Sequence, residues 1–225
     1  MPRLTRVLPL LLCGLLLAGC RIDLDAALYV GDALGTQTLS FPARLRFQVP
    51  SCSADKLEQH KRQVLALFSA NSRARVTGCE MDGFESLLGV QFVAAIGNQR
   101  PAYDVIFLRE RAPDSATVTL RMALDDAFRD RIERLLDDNH QSLSFDKLNL
   151  TFRLHNDART TVGYRLEAGW IDGVPRQPAQ GLLQRREEIE ARTPDVVADL
   201  LIHGQSPIIL RLAPDATIPG APGVA

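Results

Sequence analysis

From Ile22 onward the apolar residues fall at every second position, Ile22, Leu24, Ala26, Leu28 and Val30, with Asp23 and Asp25 between them. A period of two puts alternate side chains on opposite faces of an extended chain, so this run predicts a β-strand. Gly31-Asp32-Ala33-Leu34-Gly35 reads as a turn. Phe41, Ala43, Leu45, Phe47 and Val49 then alternate with Arg44, Arg46 and Gln48 in a second strand that ends at Pro50-Ser51-Cys52. Similar runs predict strands at 75–80, 88–96, 102–108, 116–122, 148–154, 162–170 and 208–212. Turn signals stand at Gly97-Asn98 and Pro113-Asp114, and Asn156-Asp157 reads as a hairpin turn.

The period changes in a few places. After Ser53, a candidate N-cap, Leu57, Val64, Leu65 and Phe68 share one helical face, and Asp55 sits in the first turn where the helix dipole favours an anion. Leu124, Phe128, Ile132, Leu135 and Leu136 form a second apolar stripe, with Asp125/Arg129 and Asp130/Arg134 four apart on the polar side. Leu182 to Arg192 reads as a charged helix. Thr193-Pro194-Asp195 reads as a cap with proline at the first helical position, and 196–203 fits helix or strand. Strands interrupted by covering helices predict an α+β domain: a mainly antiparallel sheet covered by two or three amphipathic helices, with one disulfide.

The N-terminal segment has a different pattern. Arg3 and Arg6 precede an uncharged, leucine-rich run, Val7 to Gly19, which has the form of a signal peptide. It is shorter than the about 20 apolar residues that a membrane-crossing helix needs. It ends in Leu17-Ala18-Gly19-Cys20, which resembles the lipobox of bacterial lipoproteins. That resemblance implies cleavage between Gly19 and Cys20, lipidation of Cys20 through its thiol and amine, and attachment to a membrane. Two or three acyl chains anchor a protein essentially permanently. In Gram-negative envelopes aspartate after the lipidated cysteine favours the inner membrane. Arg21 stands there, so the expected location is the periplasmic side of the outer membrane. The expected division is a removed leader, 1–19, one domain, 20–212, and a disordered tail, 213–225, rich in Pro, Ala and Gly.

Loss of the leader discards Cys13 and two arginines, leaving 24 basic against 27 acidic residues. This balance, with only Lys56, Lys61 and Lys147 as lysines, offers no clustered positive charge for phosphates and argues against a nucleic-acid partner. Cys52 and Cys79 then remain in an oxidising compartment and are expected to pair. Two free thiols or a two-cysteine metal site are the alternatives, without CxxC spacing or an adjacent histidine to support them. The pairing would fasten both ends of one β-α-β excursion.

Catalytic signatures are absent. There is no HExxH, P-loop, GxSxG, or GxGxxG after a strand. His203-Gly204 with Ser206 could form a nucleophile corner, but no third member of a triad is in sight. His60, His140, His155 and His203 are scattered. Asp23, Asp25 and Asp32 lack the glycine and terminal glutamate of a calcium loop, so no metal or cofactor is expected.

Cys20-Arg21-Ile22-Asp23, Leu28-Tyr29-Val30-Gly31-Asp32, Pro50-Ser51-Cys52 and Gly78-Cys79-Glu80 also resemble uncharacterised lipoproteins associated with phages and mobile elements. The expected role is a non-enzymatic envelope module that engages another envelope protein. The alternative is a small-molecule or lipid binder, or a hydrolase, whose site leaves no signature.

Overall fold

The computed structural model describes residues 21–111, 115–138, 148–167, 169–214, 217 and 219. The lipobox, with Gly19 and Cys20, and the Pro113-Asp114 turn lie outside them. The first predicted strand is β1, Ile22–Tyr29, whose Ile22, Leu24, Ala26 and Leu28 are all buried. The Gly31 segment is a short helix, α1 (Val30–Leu34), which buries Val30 and Ala33. It is not a simple turn. β2, Leu39–Val49, runs antiparallel to β1 and sets Arg46 opposite Asp23. α2, Ala54–Leu65, leads to a hairpin of β3 (Arg75–Asp82) and β4 (Glu85–Gly97), and β4 pairs with β2 on one side and β3 on the other.

β5 (Val105–Arg111) joins β4 in parallel beyond the reach of β3, and β6 (Val118–Leu124) returns antiparallel. α3 (Asp126–Asp138) precedes β7 (Leu148–His155), which lies parallel to β1. β8 (Val162–Leu166), β9 (Gly169–Ile171), β10 (Val174–Arg176), β11 (Ala179–Leu183), β12 (Glu188–Arg192), α4 (Asp195–Ile202) and β13 (Ile208–Ala213) complete the chain. All strand pairs among the described residues are antiparallel except β1–β7 and β4–β5.

The fold is therefore mainly sheet, as the alternation predicts, but the cover differs. The thirteen strands follow the order β10-β9-β12-β7-β1-β2-β4-β5-β6-β13-β8-β11, with β3 beside β4, and the sheet curls into a nearly closed barrel. It thus covers its own apolar face instead of lying flat under helices. α3 and α4 contribute Phe128, Ile132 and Leu201 to the interior that Leu24, Phe47 and Met122 line. Phe68 stacks between Phe92 of β4 and Phe128 of α3, with ring centroids 5.2 Å from each.

The expected helix over 182–192 is instead the end of β11, a turn and β12. Ile189 and Ala191 are buried while Glu188, Glu190 and Arg192 are exposed, which is the two-residue period. The charged run Arg185-Arg186-Glu187 belongs to the turn, where Arg186 adopts a left-handed φ of 65° and Glu187 N–H donates to Gln184 O. The open segment 196–203 falls in α4, with Pro194 in the cap position, one residue before the first helical place expected for it. Thr193 does not cap the helix. Its N–H donates to Leu150 O. Asp125 likewise caps α3 by accepting from Phe128 N–H, and Arg129 pairs with Asp126 instead. Ala213 is the last residue of β13, and Pro219 O accepts from Arg165. Of the remainder of the expected tail, only Pro214 and Thr217 are among the described residues.

Four short connections, β7–β8, β8–β9, β10–β11 and β11–β12, cross the seam between the two ends of the strand order. Asn156, fully buried, holds it. Its amide nitrogen donates to Thr160 O at 2.9 Å and Leu183 O at 2.8 Å, and its side-chain oxygen accepts from Ala158 N–H at 3.0 Å. Its main chain bonds Glu187 O and Arg186 N–H. Asn156-Asp157 is thus a clasp and not a β7–β8 hairpin turn, since those two strands pair with other partners. A second buried polar group, Asp104, docks α3: it accepts from Ser69 N–H and Oγ and from Arg131, at 2.8–3.0 Å.

Asn156→Asp keeps the shape but turns a carboxylate oxygen toward two carbonyls in a dry site. Burying an unpaired charge there costs about 3 kcal/mol or more. Asn156→Ala, which only removes the bonds, is expected to cost about 2 kcal/mol. Urea unfolding of the two variants against the parent measures this order.

Candidate functional site

Arg21, the first described residue, is already part of the sheet. Its N–H donates to Gln48 Oε1 at 2.9 Å and its carbonyl accepts from Gln48 N–H at 2.8 Å. Its guanidinium spans three elements. Nε and Nη2 meet Asp23 of β1, each at 3.0 Å, and Nη1 meets Asp82 at 3.0 Å and Glu85 at 2.9 Å, the two residues that close the β3–β4 hairpin. The Asp23 carboxylate, foremost among these partners, holds Arg21 more firmly protonated than usual, against the opposing effect of burial.

Asp23 is 6% exposed although it points away from the apolar interior. It also takes Arg46 Nη2 at 2.9 Å and the Asn149 amide at 2.8 Å from the flanking strands, so its charge is well matched. Asn149 in turn accepts from Arg192, whose guanidinium lies 5.3 Å from the Trp170 ring centre. These residues line an open cleft of about 530 Å³ on the outer face. Its polar groups largely satisfy one another, which makes it a brace between strands.

The hairpin beside Arg21 turns on two residues, Gly83 and Phe84. Gly83 has φ 61° and Phe84 does not, the pattern of a type II′ turn with glycine first. Cys52 and Cys79 form the expected disulfide, with Cα atoms 5.6 Å apart, and join the chain just past β2 to β3. The β-α-β excursion that they fasten is β2–α2–β3. The bridge braces the base of a hairpin whose tip carries Phe84, 105% exposed, beside Met81 at 62%. The Asp82-Gly83 pair is a hairpin signal in the sequence, but the exposure of Phe84 and its closeness to Arg21 are visible only in three dimensions.

Other expected groupings do not assemble. His203 Nδ1 lies 2.8 Å from Asp199 O at the end of its own helix, while Ser206 Oγ accepts from Arg100 at 3.0 Å. Asp25 pairs with Arg153 and Asp23 with arginines, so Asp23, Asp25 and Asp32 do not converge on one point. No group of three metal-ligating side chains occurs among the described residues. The apolar interior between the sheet, α3 and α4 holds a cavity of about 40 Å³, far below the ~300–1,000 Å³ of small-molecule sites.

At the far end of β1, Arg109 is 5% exposed. One of its nitrogens donates to Gln37 O, while Nε and Nη1 have no partner among the described residues and are closed to solvent. Burial lowers the Arg109 pKa. Nearby Asp32 is pushed up by burial first and then by Asp157, which itself accepts from Gly31 N–H, with Arg109 opposing both.

A closed-up sheet stapled by one disulfide and braced outside by arginine–carboxylate pairs defines a β-barrel-like domain. Residues 22–213 match the model of a domain of unknown function, DUF7424, and the chain belongs to that family. The matched span runs from the first residue of β1 to the last of β13. Neither a curated protein nor a solved structure matches. Among the described residues no helix is long and apolar enough to cross a membrane.

Two stability measurements follow from these contacts. Replacing both Cys52 and Cys79 with serine is expected to cost about 3.5 kcal/mol in denaturant unfolding, the loop-closure value for a 27-residue separation. A raised carboxyl pKa means that the folded state binds the Asp32 proton more tightly than the unfolded state. The ionised group therefore opposes folding as pH rises through its folded pKa. Asp32→Asn is expected to stabilise the protein at pH 7, and the gain should fade as pH falls through the raised folded pKa and be gone below the ordinary carboxylate value, measured as midpoint against pH.

Proposed function

We propose that the protein is a bacterial envelope lipoprotein, held by lipid on Cys20 at the periplasmic side of the outer membrane. There it acts as a non-enzymatic interaction or structural module. The observation that carries this reading is the junction at Arg21. The residue that would follow the lipidated cysteine is bonded into the sheet through its main chain and its side chain. The leader and the Leu17-Ala18-Gly19-Cys20 motif supply the anchor, and the ordered Arg21 leaves no leash between anchor and domain. Consecutive Cα atoms are about 3.8 Å apart, so the lipid would hold this end of the sheet at the headgroups.

The non-enzymatic part is supported by the dispersal of His203 and Ser206, and by the lining of the larger outer cleft, whose arginines and carboxylates pair with one another. Leu182 and Val196, 43% and 59% exposed, are, with Val174 of β10, exposed apolar positions among the described residues of the C-terminal part that a partner could cover.

Cys20→Ala is expected to abolish fatty-acid labelling and move the protein from the membrane to the soluble periplasmic fraction. An unchanged distribution refutes the anchor. Photo-crosslinking residues at Leu182 and Val196 in the lipidated protein are expected to trap one discrete envelope protein, and their silence in cells refutes the interaction role.

A further inference from the structure

We infer that the β3–β4 hairpin tip is a second membrane contact, in which Phe84, with Met81 behind it, enters the lipid bilayer beside the Cys20 anchor. This rests on the proposed lipid attachment and adds to it a defined apolar insertion point.

Phe84 is fully exposed and packs on nothing. Turn geometry does not call for it either. A II′ turn needs glycine at its first central position, which Gly83 fills, and a small polar residue suits the second. A fully hydrated phenylalanine at the apex of a tight turn is an apolar group without a folding role. Met81, exposed on the same hairpin, adds a flexible apolar surface, while Leu87 at the base is completely buried and fixes the hairpin to the body. The disulfide at Cys79 braces it further.

The occupant is set by what lies next to the tip. Asp82 and Glu85, the residues on either side of Gly83-Phe84, are both bonded to the Arg21 guanidinium. The residue before Arg21 is Cys20, one peptide unit away. Arg21, to which Cys20 is joined in the sequence, and the Gly83-Phe84 turn therefore stand at the same end of the same sheet. The Arg21 guanidinium, shared with Asp23, offsets part of the charge of the two carboxylates that would otherwise repel an anionic headgroup layer. A ring flanked by charges held at the surface suits the interfacial region, where aromatic side chains concentrate.

The test uses the full lipidated protein in vesicles of phosphatidylethanolamine and phosphatidylglycerol, with and without acyl-chain-brominated phosphatidylcholine. Trp170 is the only tryptophan, so Phe84→Trp is made with Trp170→Phe. The control is Tyr29→Trp in the same background. Tyr29 is 44% exposed at the other end of β1, seven residues or ~23 Å away. Should Trp170→Phe not fold, the same two substitutions are read as differences from the parent, whose Trp170 is a constant baseline.

The expected result is a blue-shifted indole in the Phe84→Trp protein, whose emission falls about twofold or more with brominated lipid, while emission of the Tyr29→Trp control is unaffected. If the protein floats with the vesicles but the Phe84→Trp emission is no more quenched than that of the control, the insertion is refuted and the anchor stands. The tip is then left to a protein partner. If the protein does not float at all, the lipid attachment fails, and the insertion fails with it.

Discussion

Closing a thirteen-stranded sheet leaves a single seam, and one buried asparagine holds it. Unpaired strand edges are exposed hydrogen-bonding rows that invite pairing with other chains. A barrel removes them only if its two ends meet. Here β9 and β11 come together without a ladder of their own, and the missing bonds are replaced by Asn156, whose amide reaches Leu183 at the end of β11 and Thr160 before β8. Because four connections cross the same seam, that side chain sets where β7 ends, where β8 begins and how the chain enters β12. The sheet, nearly closed at this seam, surrounds the apolar interior that Phe92, Phe107 and Leu120 fill.

The polarity of this barrel is opposite to that of a membrane-spanning one. Outer-membrane barrels carry an apolar band outside and polar residues within. In this protein β1, β2, β7 and β12 turn Asp23, Asp25, Arg44, Arg46, Arg153, Glu190 and Arg192 outward and leucine, valine and phenylalanine inward. The outward charges also pair across strands, Asp23 with Arg46 and Asp25 with Arg153, which braces the register from outside while the apolar side chains fill the inside. Such a surface suits water along the whole length of these strands.

Period-two alternation makes most strands legible from sequence, because half-buried strands are where side-chain polarity records the face most directly. β1, β2, β6 and β7 largely follow it, and β4 does so over Leu88 to Ala94. The segment 182–192 does not, since its four central charges fit a solvated helix face as well as a turn, and only Ile189 and Ala191 carry the strand period. Asn156-Asp157 misleads for a related reason: the residue types that make good turns are also those that donate and accept in tight places, and the dipeptide does not say which. Curling of the sheet is a property of strand order, which local pattern does not encode. The disulfide is accessible through compartment logic. The Arg21 junction is not, because Asp82 and Glu85 lie over sixty residues from it in the chain.

Arg21 is where the chemistry of the chain meets the placement of the domain. A rigid domain on a single flexible point of attachment can pivot freely, and its outward faces then meet partners at every orientation. Removing the leash restricts that freedom, because a residue bonded through N–H, carbonyl and guanidinium transmits the direction of the chain to the sheet. A second point a few residues away in space removes the remaining pivot, just as two hinges fix a door where one does not. In the proposed lipoprotein the far end of β1, with Tyr29, α1 and Asp32, would therefore stand ~23 Å or more from the bilayer along a fixed direction. Leu182 and Val196 would be presented at a set height and angle. For a module without an evident catalytic centre, a defined presentation of its surface is what a short tether can contribute to recognition, since orientation lost before binding need not be lost again on binding.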